Sequence, residues 1–172
     1  MPVGSLPDVK SLTVNRYLAE LAADSLFPSA GAAAGLTAAQ AAALFAMVCR
    51  VNLRKLKEIR GESAGAPEAG AAAAGGKKGK EEAGAAWSFW RKMLELAEDH
   101  QKRCLELVQA DGAAYREVVD GDPQGPAHAL EVPLAIARHA RETAELIRQA
   151  LPESYAPVRA DAETALHLAE GS

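Results

Sequence analysis

GAAAGLTAAQAAALFAMVCRVNLRKLKEIR, residues 31–60, carries the strongest fold signal in the chain. Its first half is apolar on every side of a helix and meets no charge before Arg50. A helix without a polar face has to be surrounded by other helices. The second half collects Arg50, Arg54, Lys55, Lys57 and Arg60, and cations suit the C-terminal end of a helix dipole. Gly61 is a natural stop. The start falls near Gly31, or at Thr37, where Thr37-Ala38-Ala39-Gln40 reads as a capping box. The uncharged run 25–49 is long enough to raise a membrane question. It is made chiefly of Ala and Gly, broken by Pro28, Thr37 and Gln40, and holds few of the large side chains that drive insertion. The expectation is a central helix of a soluble bundle, with no membrane partner.

Working outward, residues 1–9 read as a loose arm. Leu12–Ala22 has helical apolar spacing, with Ser11 or Thr13 as cap. Turn residues at 25–31 separate it from the central helix. Residues 61–86 are Gly, Ala, Glu and Lys of low complexity, which predicts an exposed loop, disordered or weakly helical. Trp87, Trp90, Met93, Leu94, Ala97, Cys104, Leu107, Val108, Tyr115 and Val118 trace one stripe of a second long helix, ended by Asp120-Gly121-Asp122-Pro123. A third runs from about Pro126 to Leu151, with Pro133 predicting a kink or a late start. A last helix covers about Val158–Ala169. The predicted architecture is all-α, an antiparallel multi-helix bundle with long central helices. It forms one domain over residues 1–172.

Composition agrees. The chain is 49% hydrophobic but only 5% aromatic, so its apolar content is mostly helix-forming Ala and Leu. The net charge of -4 gives no basic footprint for nucleic acid or an anionic membrane. Asp8 and Lys10 precede any apolar run, so no signal peptide is expected. Cys49 and Cys104 sit in apolar helical stretches without partners at motif spacing. They read as buried free thiols of a reducing, cytoplasmic compartment.

One residue breaks the pattern. Asp111 shares its helix face with Cys104, Leu107, Val108, Ala114, Tyr115 and Val118. A carboxylate there must be paired, protonated or working in a cleft; a polar link to a neighbouring helix end or an Arg is the plain structural alternative. Asp161 sits on a similar but weaker face and reads first as a first-turn acid at a helix N-terminus. Glu131, just before Val132-Pro133-Leu134, reads as another first-turn acid. His100 and Cys104 have the i, i+4 spacing of two metal ligands, but no third ligand stands at a recognisable spacing, so no metal is expected. No phosphate-binding glycine loop or nucleophile elbow occurs.

The stretch Ser25-Leu-Phe-Pro-Ser-Ala-Gly-Ala-Ala-Ala-Gly-Leu36, followed by Ala46-Met-Val-Cys-Arg-Val-Asn-Leu-Arg-Lys55, resembles the opening of the folate cyclodeaminase/cyclohydrolase family. This is the family of the cyclodeaminase domain of formiminotransferase-cyclodeaminase and of bacterial methenyltetrahydrofolate cyclohydrolase. Its pattern is Ser-Pro-Thr-Pro-Gly-Gly-Gly-Ser, an Ala-rich helix, Met-Val and a Leu-Thr-x-Gly-Lys ending. Leu107-Val-Gln-Ala-Asp111-Gly-Ala-Ala-Tyr115 is similar to the family's Asp-x-x-Ala-Phe segment. Ala129-Leu-Glu131-Val-Pro133-Leu is similar to Thr-Glu-Val-Pro-Leu, and Asp161 falls at a Ser-Asp pair. The resemblance implies a helical homodimer. It also implies a tetrahydrofolate derivative as substrate, with no covalently bound cofactor, in a cleft near the dimer interface. Asp111 would be the proton-transfer carboxylate of hydrolytic or deaminating chemistry at N5/N10. The loop Pro28, Ser29, Ala30, Gly31 and Ala32 would approach the pterin, and Lys55, Glu131 and Asp161 would line the substrate site. Here the family's triple glycine and serine are Ser29-Ala30-Gly31-Ala32. An active enzyme and an inactive helical scaffold that kept the fold are therefore both open readings.

Overall fold

The computed structural model describes residues 6–61 and 77–172, and it is helical throughout, with no strand among the described residues. A 3-10 turn, Val9–Ser11, precedes five helices: α1 (Val14–Leu21), α2 (Ala30–Ile59), α3 (Lys77–Asp120), α4 (Gly125–Ala150) and α5 (Arg159–Glu170). Thr13 caps α1, its hydroxyl accepting from the Arg16 amide. The predicted arm is partly corrected. Val9 is buried and its amide donates to Gln109 of α3 at 3.4 Å, and Leu6 packs on the same small cluster. Of the two predicted starts for α2, the one near Gly31 holds. Thr37 lies inside the helix, its hydroxyl donating to the Ala33 carbonyl one turn back.

α2 is the axis of the bundle and packs against α3, α4 and α5. It has the length and mean hydropathy of a membrane span, but 56% of that apolar window is buried within the bundle. Ala38, Ala41, Ala42 and Ala46 are fully buried, so small side chains let the neighbouring backbones come close. α3 runs antiparallel to α2: Gly35 faces Val108 near one end and Arg60 reaches the Ala83 carbonyl at the other. α4 returns antiparallel to α3, with His128 against Glu117 and His100 against His139. The largest core cluster joins Phe45, Cys49 and Leu53 to Trp90, Met93, Ile147 and Ala162. Emptying the Phe45 site alone would cost about 3–5 kcal/mol.

Two further expectations change. α3 begins at Lys77, ten residues ahead of Trp87, so residues 77–86 are helix rather than loop; the rest of the low-complexity segment, 62–76, lies outside the described residues. The earlier start has a tertiary cause. The Arg60 hydrogen bond to Ala83, and the stacking of Lys57 and Arg60 over Trp87 at 5.5 and 5.4 Å, tie this weak helix former to the end of α2. α4 runs through Pro133 as one helix, starting at Gly125 rather than after the proline. Both cysteines are buried and free, as read from the sequence. Burial pushes the Cys49 thiol up to about 12 and the Cys104 thiol up to about 11.

Candidate functional site

Asp111 meets the start of α2. Ser29, the residue before that helix, donates its hydroxyl to Asp111 Oδ2 at 2.5 Å. Such a short bond to a carboxylate is charge-assisted. Gly31, in the first turn, lies directly against the same carboxylate: a Cβ there would fall within 2.6 Å of Asp111 Cγ. The one glycine kept from the expected triplet is thus where side-chain volume is forbidden. The positive end of the α2 dipole also faces a negative group here. Next to Asp111, Gly112 leaves room for the Phe27 ring, whose Cδ2 and Cε2 would lie 2.6 and 2.8 Å from an added Cβ. Phe27 and Pro28 are joined by a cis peptide bond and both are buried. The loop before α2 is therefore fitted onto α3 around residues 111–112.

The polar group on the apolar stripe has thus found a neighbouring helix end, and it is only half-buried. The stripe itself changes at this level. Cys104 and Val108 are fully buried, whereas Tyr115 and Val118 are exposed. Leu26, Val119, Leu130 and Leu134 are exposed at the same end, and Leu26, Tyr115 and Val119 share one small apolar hollow with Phe27 and Gly112. That hollow offers about 20 Å³, room for about one water.

The other sequence-derived residues divide between the two ends of the bundle. Ala30 is exposed and Ala32 is buried under the loop. Glu131 is exposed on α4 at the Asp111 end, near enough to His128 to help hold its imidazole protonated, after the larger effect of Glu117. Lys55 is elsewhere. At 1.5 Å per residue it lies about 36 Å along α2 from Gly31. There it pairs with Glu58 at 3.2 Å and sits 5.6 Å over the Tyr155 ring. Asp161, half-buried in the first turn of α5, belongs to that far end, next to Ala162 in the core around Cys49 and Leu53. One chain therefore joins Ser29 and Gly31 to Asp111, with Glu131 at the same end, and keeps Lys55 and Asp161 apart from them.

Sequence spacing passed over a second cluster. His100 does not pair with Cys104; it faces His139 and Glu142 across the α3–α4 interface. The only sequence signal was His139 and Glu142 at i, i+3, which is common on any helix.

A comparison with curated proteins finds no match. The family model described as formiminotransferase-cyclodeaminase matches residues 13–68, a segment that covers α1, the Phe27-Pro28 turn and all of α2. That segment, which supplies Ser29 and Gly31 to the Asp111 carboxylate, is similar to the formiminotransferase-cyclodeaminase family.

Proposed function

We propose that this protein acts on a one-carbon-substituted tetrahydrofolate, as a methenyltetrahydrofolate cyclohydrolase or a formiminotetrahydrofolate cyclodeaminase, with Asp111 as the proton-transfer group. The observation that carries this reading is the Ser29–Asp111 contact over Gly31; Ser29 and Gly31 lie in the segment that matches the family, and Asp111 meets them from α3. A carboxylate held by one hydroxyl on one oxygen keeps its other oxygen free to take a proton from attacking water. In the hydrolytic case the water oxygen bonds to the methenyl carbon and its proton passes to Asp111. The ring C–N bond then breaks as that nitrogen takes the proton back, while the new hydroxyl gives its remaining proton to solvent and becomes the carbonyl of a formyl product.

A cleft between two copies of the chain accommodates the rest. Leu26, Tyr115, Val119, Leu130 and Leu134 expose apolar surface around the Asp111 end, as an interface would require. A partner packed there could bring its Lys55 end toward the first chain's Asp111.

One observation favours the inactive-scaffold reading. The apolar hollow lined by Phe27, Gly112 and Tyr115 next to this site has space for about one water, and Ser29 already bonds one oxygen of the carboxylate. The two readings separate in one assay. Purified protein and an Asp111→Asn variant are each mixed with 5,10-methenyltetrahydrofolate, and with the formimino derivative, and the ultraviolet absorbance is followed. The enzyme reading expects faster decay of one substrate with the parent chain only. Decay at the spontaneous rate with both proteins sinks it, and calorimetry with folates then tells a binder from a scaffold.

A further inference from the structure

We propose that His100, His139 and Glu142 form a binding site for a divalent transition-metal ion of the zinc class, which clips α3 to α4. The two imidazole Nδ1 atoms are 3.0 Å apart, and Glu142 Oε2 lies 3.9 Å from that of His100 and 3.7 Å from that of His139. A triangle with those sides has a centre about 2.1 Å from every corner, which matches Zn–N and Zn–O bonds of roughly 2.0–2.2 Å. Seating the ion just out of that plane, as a tetrahedral site requires, asks the three atoms to close in by only about 0.1 Å.

The donor set also fits. Two neutral imidazoles and one carboxylate suit zinc and its first-row neighbours, whereas calcium and magnesium prefer all-oxygen ligands. Within the cluster the three groups are only partly used. One imidazole can donate to the other at 3.0 Å, but the carboxylate aims at both rings from beyond hydrogen-bond range. A cation between them would use all three groups at once. His100 is buried, and its burial, with His139 beside it, favours the neutral ring that a metal needs. His139 and Glu142 are partly exposed, so a water can complete the coordination from the solvent side. His139 and Glu142, one turn apart, come from α4 and His100 from α3, so binding is coupled to the packing of the two helices. The site stands about 16 Å along α3 from Asp111 and is independent of the folate reading.

The test uses the full chain without an affinity tag, stripped with a chelator and dialysed. Zinc is titrated by calorimetry, cobalt(II) by visible absorption, and the melting midpoint is read with and without zinc. The expected result is one zinc per chain, a tetrahedral-type cobalt spectrum, and a midpoint raised by about 5 °C or more at a hundredfold excess over Kd. His139→Asn and Glu142→Gln should each weaken zinc by roughly a hundredfold or more, while exposed His167→Asn leaves it unchanged. Circular dichroism checks that the variants fold, and the part-exposed Glu142 keeps the test usable if His139→Asn does not. No saturable binding up to millimolar zinc overturns the proposal, as does undiminished binding by folded Glu142→Gln.

Discussion

Replacing Gly31 with alanine separates helix propensity from site geometry, because the two predict opposite signs. Gly31 lies in the first turn of α2 without a positive φ, so its backbone conformation suits any residue. On propensity alone, alanine should stabilise the helix by up to about 1 kcal/mol. The added Cβ, however, would sit within 2.6 Å of Asp111 Cγ, far inside contact distance. Asp111 has to swing away and lose its bond from the Ser29 hydroxyl. A hydrogen bond to a charged group is worth about 1.5–3 kcal/mol. Half-burial of Asp111 puts the loss at about 2 kcal/mol, in the lower half of that range, because water re-solvates part of the freed carboxylate. The balance is a destabilisation of about 1 kcal/mol. With a urea slope near 2 kcal/mol/M, the midpoint should fall by roughly 0.5 M. The control is the same change in an Asp111→Ala background. There the obstruction is gone and the propensity gain should return, giving a coupling of about 2 kcal/mol in a double-mutant cycle. The assay is urea unfolding followed by helical circular dichroism. A Gly31→Ala protein more stable than its parent, with no coupling to position 111, would refute the packing of α2 against Asp111.

Other outcomes follow from single contacts. Asn52 is buried, donates to the Val48 carbonyl at 2.9 Å and accepts from the Tyr155 amide at 2.8 Å. Asn52→Ala should therefore cost about 1–3 kcal/mol in chemical unfolding, and protease susceptibility near Tyr155 should rise with it; an unchanged midpoint would contradict both bonds. His100 is held below the ordinary histidine range, first by burial, then by His139, against weaker opposition from Glu142 and Asp99. The unfolded chain then binds this proton more readily, so metal-free protein should lose stability as pH falls through about 6.5 toward the lower folded value. Comparing His100→Gln with the parent across pH 7.5 to 5 tests this, and parallel pH profiles would count against it. His128 works in the opposite direction. Glu117, at 2.5 Å, raises its pKa, so its contribution is present below about 6.5 and fades as pH rises through the folded value. Cys49 and Cys104, buried and raised to about 12 and about 11, should resist a thiol reagent at pH 8 until the protein unfolds; rapid labelling of the native protein would contradict their placement.

Residues that report on their own helix were legible from the sequence. Ala and Leu content, apolar periodicity, Thr13 before α1 and the Asp120–Pro123 terminator act over one or two turns, and they place the helices to within a few residues except at the start of α3. The same periodicity singled out Asp111, because a carboxylate on an apolar stripe is anomalous whatever packs against it. The early start of α3 was not legible, since its Gly- and Ala-rich first turns are held by Arg60 and Lys57 from the end of α2. The meeting of His100 with His139 and Glu142 depends on how α3 and α4 align across their turn, a register no local spacing records. Family-like motifs grouped Lys55 and Asp161 with Asp111, yet a 30-residue α2 holds them at opposite ends, since a rigid helix converts sequence separation into distance. Local residue patterns were thus enough for a helix bundle with a carboxylate out of place. What that carboxylate touches depends on how the helices pack. Ser29 and Gly31 reach it because antiparallel packing lays the start of α2 beside the last turns of α3.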